Sequence, residues 1–83
     1  MAYYLLLSRS ITHAQRMSGT LEKMGIPAGI FRPPLGLSEH GCAYAVRIGE
    51  SRLQPALARL RQQDLLPVRI VLYRDGAYSE VRA

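Results

Sequence analysis

The sequence predicts an α+β fold in a single domain, residues 1–83, from three observations. Short apolar or alternating runs suited to strands are separated by two stretches whose apolar residues recur at spacings of three and four. Turn chemistry stands at the joints, in Gly25-Ile26-Pro27, Pro33-Pro34 and Asp75-Gly76. Finally, 83 residues with 48% hydrophobic and 20% charged side chains suit one small core, neither a disordered chain nor several domains.

The first element is Tyr3-Tyr4-Leu5-Leu6-Leu7, apolar on both faces as a central strand would be. A helix follows, capped by Ser10 or by Thr12, and Thr12 with Gln15 fits a capping box. Ile11, Ala14, Met17, Leu21 and Met24 form one stripe, which Gly25 closes and Pro27 keeps from continuing. Ala28–Arg32 reads as a short second strand, and a loop from Pro33 to Gly41 leads to a third over Cys42–Ile48. There Cys42, Tyr44, Val46 and Ile48 share one face, and Ala43, Ala45 and Arg47 the other. The second helix spans about Ser51 to Gln63, with Leu53, Ala56, Leu57 and Leu60 inward. Pro55 is tolerated only in a first turn, so this helix is expected to start a residue or two late. Val68, Ile70 and Leu72 mark a fourth strand, Asp75-Gly76 a tight hairpin, and Ala77–Val81 its return.

The order β-α-β-β-α-β with a C-terminal hairpin extension is that of a ferredoxin-like sandwich. Both helices then cover one sheet face. Tyr3, Tyr44 and Tyr73 are candidates for the open face, where a partner or a second copy of the chain could sit.

Composition narrows the function classes. The longest apolar stretch, Tyr3–Leu7, is too short to span a bilayer, and no secretory signal pattern is present. One cysteine cannot close an internal disulfide, and without a His/Cys cluster it cannot hold structural zinc. The expected setting is a reducing cytoplasm, with no metal, no cofactor, and neither membrane nor DNA as partner. Ten of the eleven basic residues are arginines, and the net charge is +5. Being scattered, they read first as a solvated basic surface and second as anion-binding forks, with Arg32 and Arg47 the candidates for anion or partner docking.

The chemistry-bearing candidate is Cys42. A lone cysteine at a strand start is ordinarily a small buried hydrophobe. Here Gly36, Ser38 and Gly41 allow backbone amides to gather around an anion, and Arg32, Arg47 and His40 add positive charge nearby in sequence. Such surroundings favour a reactive thiolate. His13 is the other partner to weigh, because a Cys/His pair makes an activated nucleophile when a third group orients the ring. The bland alternative has His13 and Ser10 shaping the helix N-terminus. No carboxylate pair is placed for acid–base work and no phosphate loop occurs, so a carrier or binding role is favoured over an enzyme. RNA binding is the weakest reading: His40-Gly41-Cys42-Ala43-Tyr44 imitates an RNA-recognition signature, but cysteine and Arg47 stand where aromatics should.

The chain resembles the selenium/sulfur carrier-like family of small bacterial proteins. The resemblance rests on Tyr4-Leu5-Leu6-Leu7, Ser10-Ile11-Thr12-His13-Ala14, Gly25-Ile26-Pro27, Pro33-Pro34, Ser38 and Cys42, over roughly residues 3–48. It departs from the family's Ser-x-x-Cys-Gly in two ways. Ser38 is four residues before the cysteine, and Ala43 follows it, with Gly41 in front instead. The resemblance implies that Cys42 accepts sulfur or selenium as a persulfide or perselenide, supported by Ser38, Gly41, His13 and Ser10. It further implies donor and acceptor proteins as partners. The competing expectation is a non-catalytic interaction or regulatory module that self-associates through its sheet.

Overall fold

Strand β1, Ala2–Ser8, is apolar on both sides because it runs through the middle of a sheet. The structure is a computed structural model and describes residues 2–33 and 44–81. After β1 come α1 (Ile11–Lys23), β2 (Gly29–Phe31), β3 (Tyr44–Gly49), a 3-10 turn (Glu50–Arg52), α2 (Leu53–Gln62), β4 (Arg69–Arg74) and β5 (Ala77–Val81). The five strands form one sheet in the order β2-β3-β1-β4-β5, with every neighbouring pair antiparallel. Register sets Leu6 between Val46 and Ile70, and Leu5 between Arg47 and Val71.

The alternation of β1 therefore feeds two cores. Leu6, Val46, Ile48 and Ile70 meet Ala14, Met17 and Leu21 of α1 and Leu53, Ala56, Leu57 and Leu60 of α2. On the far side Leu5, Leu7, Ala45 and Val71 form a second, smaller cluster with Tyr3 packed against it. Both helices thus lie over one face, as their inward stripes require.

Each helix ends by the same device. Beyond α1, the Ile26 amide donates to the Leu21 carbonyl and the Gly25 amide to Glu22, with Gly25 at φ 83°. Beyond α2, the Leu65 amide donates to Leu60 and the Asp64 amide to Arg61, with Asp64 at φ 56°. This is the Schellman arrangement, which needs a left-handed residue after the helix. Glycine takes that conformation freely, whereas Asp64 takes it against its own Cβ and with a negative charge at the negative end of the helix. Asp64→Gly is therefore expected to raise stability by about 0.5–1 kcal/mol. A urea midpoint that stays put or falls would contradict this account.

Several boundaries differ from expectation. Ser10, not the Thr12/Gln15 box, caps α1, because Ser10 is extended (φ −159°) while Thr12 already lies within the helix. Ile11 is 39% exposed and lies off the buried stripe. Strand β2 is limited to Gly29–Phe31, and Val68 precedes β4, although its amide still donates to the Leu7 carbonyl at 2.9 Å. The second helix does start late, after the 3-10 turn, with Pro55 in its first turn. Asp75 and Gly76 both have positive φ, as a primed two-residue hairpin demands.

Candidate functional site

The N-terminal end of α1 holds two of the residues singled out in the sequence, Ser10 and His13. Ser10 Oγ accepts the His13 amide at 3.1 Å. His13 is only 6% exposed, and both its ring nitrogens are used. Nδ1 accepts the Arg9 amide at 3.1 Å, which leaves Nε2 as the protonated nitrogen, donating to the Leu65 carbonyl at 3.3 Å. The ring thus bolts the β1–α1 corner to the segment after α2, and neither nitrogen is spare. Ser8, fully buried, donates its hydroxyl to the Tyr44 carbonyl at 2.9 Å, and the same two residues are register partners. That pairing places the entry to β3 at the end of the sheet where α1 begins. Arg32 lies against the ring of Tyr44, with its guanidinium carbon 5.4 Å from the centroid. The first turn of α1 carries no acidic residue, and a hollow of about 330 Å³ there is lined by Arg9 and Arg16 together with His13 and Asp64. Two guanidinium groups against one carboxylate, with the helix N-terminus, leave a modest positive excess there.

Cys42, Ser38, Gly41 and His40 lie outside the described residues.

Arg47 sits elsewhere, on the sheet face that carries no helices. Its guanidinium lies 4.7 Å from the Phe31 ring centroid and 5.2 Å from that of Tyr3. Tyr3 stacks on Tyr73 at 4.8 Å, and Tyr73 meets Tyr78 at 5.0 Å. Phe31, Arg47, Tyr3, Tyr73 and Tyr78 come one from each strand, so a continuous row of π and cation–π contacts crosses the sheet. Partial burial, followed by its hydrogen bond with Tyr3, pushes the Tyr78 phenol above its ordinary pKa.

Of the three tyrosines expected on the open face, Tyr3 and Tyr73 are there. Tyr44 is not: it shares its side of β3 with Val46 and Ile48 and packs into the helix-side core. The aromatic on which the RNA comparison leaned is therefore turned away from the open face. The remaining rings lean on one another and on Arg47, with Phe31 44% and Tyr78 40% exposed. Sequence reasoning missed Phe31 and Tyr78 as members of this row. Only the pairing register brings them into line, and the signal available was their parity within two short strands.

An antiparallel α+β domain with a positive helix end beside the entry to β3 is the class that fold and geometry define. A family described as "Putative Se/S carrier protein-like" matches residues 3–72, and the chain belongs to that family. No curated protein and no solved structure matches it. Among the described residues, no helix is long and apolar enough to cross a membrane.

Proposed function

We propose that the chain carries sulfur or selenium as a persulfide or perselenide on Cys42, within a ferredoxin-like frame given by the β-α-β-β-α-β order and the strand order β2-β3-β1-β4. The observation that carries the reading is the pinning of Tyr44 opposite Ser8, at the start of α1. In sequence Cys42 stands two residues before Tyr44 and close to Arg32, Ser38 and Gly41. An arginine and a glycine–serine loop are residue types that favour thiolate over thiol where they gather around a cysteine. Ser10 and His13 serve this site as positioning residues, by holding the helix start in place.

The step is thiol exchange on a donor persulfide. The Cys42 thiolate attacks the outer sulfur, the donor's S–S bond breaks, and the donor leaves as a thiolate. The loaded carrier then meets an acceptor protein, with Arg47 and its basic surroundings available for docking. A reducing cytoplasm suits a single exchangeable thiol.

Two measurements test the reading. Alkylation rates across pH should place the Cys42 pKa below the ~8.5 of a free thiol. Incubation with a cysteine desulfurase and cysteine should add one sulfur atom by mass, and Cys42→Ser should abolish the adduct. An ordinary or raised thiol pKa together with no adduct would overturn the proposal.

A further inference from the structure

The open face is interrupted at one end. Gly29 on β2 and Gly49 on β3 occupy open-face positions, opposite Arg47 and Tyr3 respectively, and neither projects a side chain. A cleft of about 480 Å³ lies over them, bounded by Tyr3, Pro27, Phe31, Arg47 and Arg52. That volume is in the range of small-molecule sites.

The walls are specified by the sequence. A Cβ on Gly29 would come within 2.9 Å of the Phe31 ring, so glycine is what lets that ring lie back over its own strand. The Arg47 guanidinium lies within cation–π distance of both Phe31 and Tyr3; a guanidinium stacked on rings still carries N–H donors at its edge. No acidic side chain among the described residues pairs with Arg47 or Arg52. The neighbouring Glu50 is taken by Arg74, and Glu80 by Arg69. Arg47 and Arg52 therefore line the cleft with no carboxylate partner among the described residues, and most of its other walls are aromatic or aliphatic.

We infer that this cleft binds a small organic acid, its carboxylate held by Arg47 and Arg52 and its apolar body laid against Phe31, Tyr3 and Pro27. A planar carboxylate matches the exposed guanidinium edge, and an apolar body matches the walls. Phosphate would satisfy the charge and leave the walls wet. The cleft's far end, at Gly49, stands five residues beyond Tyr44 on an extended strand, about 17 Å, whereas its near wall, Phe31, pairs with Ala45.

The test is an amide-resolved NMR titration of the full-length chain with 3-phenylpropionate, 3-phenylpropionamide and inorganic phosphate. Phenylpropionate should give saturable shifts at Gly29, Gly49 and Ser51, with affinity of about millimolar order for a ligand of that size. The amide and phosphate should not. Arg47→Gln and Arg52→Gln should each weaken binding by about tenfold or more, the loss expected for a hydrogen bond to a charged group. Arg52 lies outside the sheet, so its variant keeps the test sound if Arg47→Gln folds poorly. Four outcomes would overturn the assignment: no saturable shifts, an equal response to the amide or to phosphate, shifts centred on the start of α1, or unchanged binding in the Arg52 variant. None of them touches the sulfur adduct on Cys42, so the two proposals fail separately.

Discussion

Replacing His13 with alanine is expected to cost the protein about 3 kcal/mol, because the buried ring vacates its volume and two part-buried backbone groups lose their partner together. The Arg9 amide loses its acceptor and the Leu65 carbonyl its donor. Each is worth roughly 1–3 kcal/mol when left unsatisfied, and the vacated ring volume adds a cavity that water only partly repairs. For a domain of this size the melting temperature should fall by about 10–20 °C. His13→Asn and His13→Gln each preserve one of the two polar reaches and should fall between. The same variant separates the two roles considered for this residue. If His13 serves the thiol by holding the helix start, thiol alkylation of the variant in the cold slows together with its loss of stability. A large loss of alkylation rate without loss of stability would mean that the ring acts directly on the thiol, against the bonding described here.

Truncating Leu6 to alanine should be costlier still, about 3–5 kcal/mol, the upper range for buried leucine. Leu6 is fully buried on the central strand between Val46 and Ile70, with both helices packed above it. A chain this short has roughly 4–12 kcal/mol in total, so the variant should lose at least about a quarter of its stability and unfold at markedly lower urea. Leu66→Ala is the matched control: Leu66 is 41% exposed, and its loss should change the urea midpoint by no more than about 0.5 kcal/mol equivalent. Similar losses in the two variants would show that the core is not where the burial pattern puts it.

The elements themselves were legible because their signals are local. Apolar spacing marked both helices, Gly25 and Pro27 ended the first, Pro55 delayed the second, and Asp75-Gly76 announced the final hairpin. The cap of α1 was harder, since Ser10 and Thr12 offer the same chemistry two residues apart. The choice fell to Ser10 once Arg9 and His13 were locked together across the corner. Asp64 gave no such notice. Its left-handed turn follows from Leu65 being pulled back over α2 to bond Leu60, a contact that favours the same geometry glycine provides after α1.

The sites divide along the same line. Cys42 was a candidate as the single thiol beside a glycine–serine loop, and it was the family resemblance, a linear pattern matched over residues 3–72, that put it ahead of an ordinary core cysteine. The row from Phe31 to Tyr78 and the cleft over Gly29 and Gly49 have no linear signature, because their members come from separate strands. Side-chain parity says which residues share a face within a strand. It does not say which strands are neighbours, or how far one is slid against the next. Spacing, caps and turns are properties of a few adjacent residues and can be read along the chain. Arg47 between Phe31 and Tyr3, and Tyr44 turned in toward the helices, exist only because long-range pairing chose one register, the one that buries Leu6 on one face and Leu5 and Leu7 on the other.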